Sequence, residues 1–210
     1  MDQLAVMLGQ AGHALLLDCR SGSFDAVPLP VQESGQVLLI IDTRVQHELS
    51  DGGYAARRRS CEAAADALGV LALRDVTDPS VLCGLDDPVM RRRARHVVAE
   101  NQRVLEVAEL LRAGRLAAIG PALNASHASL RNDFEVSWPE ADAAADVALA
   151  AGAYGARMTG GGFGGSVISL SPAGSASAVG AAITHHFAQR GWLAPVIRSV
   201  VPSKGARRVR

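Results

Sequence analysis

Five glycines within six residues, Gly160-Gly161-Gly162-Phe163-Gly164-Gly165, constrain this chain more than any other feature. Glycine loses more conformational freedom on folding than any other residue, roughly 0.5–1 kcal/mol relative to alanine inside a regular element. So dense a run persists where the backbone must turn through positive φ or approach something closely. Consecutive small residues also let N–H groups converge on an anion without Cβ obstruction, and phosphate is the natural candidate. Gly160, Gly162 and Gly165 fit the spacing GxGxxG, but a dinucleotide fold needs a helix directly after the loop. Val167-Ile168-Ser169-Leu170 reads instead as a strand. No Gly-Lys-Ser/Thr follows, which excludes a Walker A loop. A glycine-rich hairpin connection is the alternative that needs no ligand.

The flanking pattern sets the fold class. Residues 1–45 read as strands and turns, with apolar or alternating runs at 13–18, 24–29 and 37–42 and glycine-serine turns between them. From Gly53 the period becomes helical. Helices are expected over 54–68, closed by Gly69, and over 88–111, with Pro88 at the first position, where a missing N–H costs least. Others follow over 116–126, 139–151 and 175–190, with a last strand over 194–201. Segregated strands and helices of this kind predict an α+β fold, a mainly antiparallel sheet with helices packed on it.

Composition narrows the function classes. The chain is 49% hydrophobic over 210 residues, enough for a real core, so disorder is disfavoured. Formal net charge is zero, against a nucleic-acid or membrane-surface partner. Cys19, Cys61 and Cys83 lack CxxC spacing and suit a reducing cytoplasm. No apolar stretch reaches the roughly 18–20 residues that span a bilayer, and Met1-Asp2-Gln3-Leu4 does not open a signal peptide. His96, His127 and His185-His186 lack zinc-ligand spacing, so no metal ligand is expected among them. Arg91, Arg92, Arg93 and Arg95 read as a solvated helix face with local salt bridges, and Cys61 as a small core residue.

Several collinear segments resemble one enzyme family. Met158-Thr159-Gly160-Gly161-Gly162-Phe163-Gly164-Gly165 resembles the third signature motif of galactokinases, within the kinase superfamily named for galactose, homoserine, mevalonate and phosphomevalonate. Met1-Asp2-Gln3 resembles the segment that carries that family's catalytic aspartate. Asp51-Gly52-Gly53-Tyr54-Ala55-Ala56-Arg57-Arg58 resembles the segment whose tyrosine contacts the sugar. Residues 92–101 and 126–137 are also typical of galactokinases. Together the segments extend the resemblance to essentially the whole chain.

The resemblance implies a GHMP-kinase carboxy-terminal domain over residues 46–210. Residues 1–45 would follow the catalytic aspartate and lead from the first domain. It implies Asp2 as catalytic base toward the C1 hydroxyl of galactose, and Tyr54 as a hydrogen-bonding partner of the sugar. Gly160, Gly161, Gly162, Gly164 and Gly165 would lie beside the phosphates of ATP, the co-substrate, with Mg2+ as the expected metal. The family's acidic first motif and its serine-rich phosphate loop have no counterpart in these residues. The expectation is therefore half of a galactokinase, inactive alone, whose partners are a separate amino-terminal half or a second copy. A non-catalytic remnant or sugar- or partner-binding module is the alternative.

Overall fold

The computed structural model describes residues 2–46 and 52–207. The strands His13–Leu17 (β1) and Phe24–Pro28 (β2) form an antiparallel hairpin. Gln36–Asp42 (β3), Gly155–Met158 (β4), Ser166–Pro172 (β5) and Val196–Val200 (β6) form a second sheet in the order β4-β5-β3-β6, antiparallel throughout. The mixed helix and antiparallel-sheet expectation holds, and each strand read from the sequence is present.

The continuous apolar run of β3 is explained by burial on both faces. Leu39 and Ile41 enter a core built with the helices Pro139–Ala150 (α5) and Ala176–Gln189 (α6). Leu38 turns the other way, toward the hairpin and the long helix Pro88–Arg112 (α3). A strand covered on both sides has no reason to alternate. On α5, Ala141, Ala144, Ala145 and Ala148 recur at helical spacing and are almost wholly buried. Small side chains on that stripe let α5 pack closely on α6 and β4. From α6, Val179, Ile183 and Phe187 close the core, all fully buried.

A further close approach requires two glycines. The helix Gly120–Ser129 (α4) crosses β4 where Gly120 faces Gly155. A Cβ on Gly120 would fall inside van der Waals distance of the Tyr154 carbonyl, and one on Gly155 would meet the Gly120 carbonyl. Only two glycines let these backbones touch.

Three differences from the sequence expectations have physical causes. Residues 2–8, read as strand or turn, form a helix, Asp2–Leu8 (α1). It carries no glycine or proline, and it is held by the chain's far end: Gly205 N donates to Gly9 O at 2.8 Å and Ala206 N to Val6 O at 2.6 Å. The helix expected over 116–126 runs past Ser126, because α4 continues to Ser129 and passes into a π turn, Leu130–Phe134, that ends at Glu135 with φ 52°. The arginines of α3 are only in part a solvated face, Arg95 being exposed. Arg93 is buried, and Arg92, Arg93 and Arg95 pair with Glu135 and Asp133, about forty residues on, rather than locally.

Candidate active site

The glycine run is a seated loop between β4 and β5. Gly160, Gly162, Gly164 and Gly165 have φ of 83°, 89°, 140° and 107°, and Phe163 shares the positive region at 61°. Phe163 N donates to Val136 O at 2.8 Å and Gly165 N to Val45 O at 3.1 Å. Gly165 O accepts from Thr43 N at 3.1 Å and from Thr43 Oγ1 at 2.7 Å; Trp138 Nε1 donates to the same hydroxyl at 3.2 Å. At Gly162 the fit is tight: an added Cβ would lie 2.5 Å from Val136 Cβ. The N–H groups of Gly160, Gly161 and Gly164 have no hydrogen-bond partner among the described residues. Successive N–H groups in a positive-φ loop form a concavity suited to an anion.

The strand that enters this loop is bolted by side chains from three helices. His127, on α4 and buried, accepts from Met158 N at Nδ1, 3.2 Å away, which leaves the neutral ring's proton on Nε2. That nitrogen lies 3.2 Å from Asp142 Oδ1 on α5, off the line of a good hydrogen bond. Asp142 also accepts from Ser137 Oγ at 2.6 Å. Burial raises its carboxyl pKa, but the His127 and Ser137 contacts outweigh that and hold it below the usual range. One residue earlier, Arg157 donates to Glu100 on α3 at 3.3 Å, and Glu100 also accepts from Arg103 and Ser126. Two guanidiniums thus converge on one carboxylate. Burial, with Arg103 close by, disfavours the charge on Arg157, while Glu100 favours it.

A second polar cluster surrounds residues 133–135, next to the loop's anchor at Val136. Glu135 accepts from Arg93 at 2.5 Å and from Arg92 at 3.0 Å, and these bonds lower its pKa. Asp133 pairs with Arg95. His96 stacks on Phe134, ring centroids 4.4 Å apart, and its Nδ1 lies 3.0 Å from Ser129 Oγ. Burial pushes the His96 pKa down to about 4. The folded pKa is below the unfolded value of about 6.5, so the neutral ring favours folding; that stability is complete above about pH 6.5 and is lost as pH falls toward 4. The expected loss is on the order of 3 kcal/mol. Unfolding titrations of the wild type and His96→Gln between pH 7 and 4 check this. An equal pH slope in the two would refute the assignment.

The residues singled out by sequence are only partly gathered. Tyr54 sits in the first turn of the helix Gly53–Ala67 (α2) and is 68% exposed. Its ring is therefore a surface group, not a core one. Asp2 begins α1, but its side chain lies outside the described residues. Residues 47–51, including Asp51 of the tyrosine segment, also lie outside them. Among the described residues no group of three or more His, Cys, Asp or Glu is arranged to hold a metal ion, and no helix is long and apolar enough to cross a membrane. Sequence reasoning missed Thr43, Glu100, Asp142 and Arg157, whose partners are distant in the chain, and weighed His127 only as a metal ligand.

The relatives share this architecture. Residues 107–189 match the family described as "GHMP kinases C terminal". Galactokinase from Streptomyces coelicolor is 49% identical over 213 residues, covering 100% of this chain and 55% of that protein. Galactokinase from Mycobacterium bovis is 42% identical, covering 98% and 57%. The chain thus spans about half the length of the curated relatives it matches. In fold it matches the crystal structure of Lactococcus lactis galactokinase complexed with galactose, with a TM-score of 0.90 and 29% identity over 99% of this chain and 55% of that one. L. major mevalonate kinase, at 18% identity and a TM-score of 0.55, shares the fold alone. By sequence along its whole length and by fold, the chain corresponds to the carboxy-terminal half of the galactokinases, and residues 107–189 carry the carboxy-terminal domain of the GHMP kinases.

Proposed function

We propose that this chain supplies the glycine-loop half of a galactokinase, which transfers the γ-phosphoryl group of ATP to the C1 hydroxyl of galactose. The observation that carries the reading is the whole-chain match to galactokinases together with a seated glycine loop, three of whose N–H groups have no partner among the described residues. Phosphoryl transfer asks a protein mainly for positioning and charge stabilisation. A pre-ordered loop aimed at phosphate oxygens does this without reorganising during the reaction. In this reading Tyr54 hydrogen-bonds the sugar. Asp2 takes the C1 hydroxyl proton, since an alcohol is a poor nucleophile at neutral pH. Mg2+ would neutralise phosphate charge, and it would enter on the nucleotide rather than on a preformed protein site.

The relatives are about twice the length of this chain, and the complete reaction proposed is that of the whole protein, with this chain's residues as one part of it. The test is ADP release from ATP, Mg2+ and galactose by the purified chain beside Asp2→Asn, with galactose and glucose binding followed by calorimetry. Galactose-dependent release that disappears in Asp2→Asn establishes transfer by this chain. Galactose binding without release leaves the chain the sugar-binding part of the reaction, as a half-enzyme or as a sugar-binding module. Indifference to galactose in both assays overturns the reading.

A further inference from the structure

Tyr54 and the glycine loop sit on elements far apart in the chain, and α2 packs chiefly on α3. Arg57 bridges them. It lies three residues after Tyr54, on the same helix face, and reaches the turn that follows the π segment. Its Nε donates to Phe134 O at 2.5 Å and its Nη2 to Glu135 O at 2.8 Å. Its guanidinium carbon lies 5.8 Å from the centroid of the Phe163 ring, within cation–π range. The same short stretch is the loop's seat, since Val136 O takes the Phe163 N–H and Gly162 presses on Val136.

Two features mark this contact as more than packing. Glu135 has φ 52°, a strained conformation for an L side chain, so the surroundings must hold it. A planar fork bonding two successive carbonyls is suited to that, and a lysine cannot make the same pair of bonds. Among the described residues no carboxylate is bonded to Arg57, and Glu135 is engaged by Arg92 and Arg93. Burial and the neighbouring Arg93 both disfavour its charge. A guanidinium nevertheless stays protonated. Its charge thus faces backbone carbonyls and an aromatic ring, with no ion pair among the described residues.

We infer that Arg57 is a positioning residue that seats the glycine loop on residues 134–136 and ties it to the helix bearing Tyr54. The sugar-side tyrosine and the phosphate-side loop are then held in one register; calling these two sides sugar and phosphate rests on the galactokinase reading. The test compares the whole wild-type chain with Arg57→Lys and with Arg58→Gln, which removes an exposed guanidinium paired to Glu62. Amide exchange is read at Phe163 and at Ile168 in β5, and the dissociation constant for ADP is measured. Losing one charged hydrogen bond corresponds to about a tenfold effect. Arg57→Lys is expected to speed Phe163 exchange and weaken ADP binding by about that factor, with Ile168 unchanged. Arg58→Gln should move neither readout. Unchanged Phe163 exchange in Arg57→Lys overturns the inference, as does equal acceleration at Phe163 and Ile168, which would make Arg57 a general stabiliser. Should the wild type bind no ADP, the galactokinase reading suffers, while the Phe163 comparison still decides the seating.

Discussion

Gly162→Ala is expected to lower stability by about 2–4 kcal/mol, combining backbone strain at positive φ with overpacking. The native φ is 89°, which alanine adopts poorly, and the new methyl would press into Val136, whose carbonyl is the loop's anchor. Neither neighbour is the free end of a flexible side chain, so the loop must lift. For a chain of this length the melting temperature should fall by roughly 5–15 °C, and the Phe163 amide, bonded to Val136 O, should lose protection. Gly161→Ala is the matched control. Its added Cβ meets nothing within 4 Å, and its φ lies outside the positive region. Thermal unfolding of the pair decides the point: equal melting temperatures would mean that glycine is required for ligand access alone, not for seating the loop.

Glu100→Ala is expected to cost about 3 kcal/mol, the lower end of what breaking a buried ion pair costs. The lower end applies because the pairs keep some contact with water: side-chain exposure is 20% for Glu100, 18% for Arg103 and 27% for Arg157. Removing the one carboxylate leaves Arg103 and Arg157 facing each other without compensation, and Ser126 loses its acceptor. Because β4 carries Arg157 and then Met158 into the glycine loop, the loss should also loosen the loop's first residues. Glu100→Gln keeps an acceptor but no charge, and about half the cost is expected. Denaturant unfolding of the three proteins measures this. A Glu100→Ala cost below about 1 kcal/mol, the scale of a surface ion pair, would show that the cluster is solvated.

The glycine loop and the network beneath it were unequally legible in the sequence. The loop announced itself because five glycines are costly unless the backbone uses them. The helices over 88–112 and 139–150 were legible through proline at the first position, and these and the helix over 53–67 through glycine after the end of the helical period. Helix α1 was not, since its support comes from residues 202–206 at the other end of the chain. The arginines of α3 were misread for the same reason. A local rule pairs charges three or four residues apart, whereas Arg93 and Arg95 find Glu135 and Asp133 across a helix interface.

By itself, then, the sequence determined which segments are helix and strand over most of the chain, that a positive-φ loop lies between β4 and β5, and which family's motifs it carries in order. These are local properties: backbone entropy, periodicity and capping act over a few residues. Only the tertiary structure decided what fixes that loop in space. Thr43, Arg57, Glu100, His127, Val136 and Asp142 are brought to it from β3 and its following residues, α2, α3, α4, the turn after the π segment and α5. Hydrogen bonds and desolvated charge act at a few ångströms regardless of chain separation, so no window along the sequence contains them.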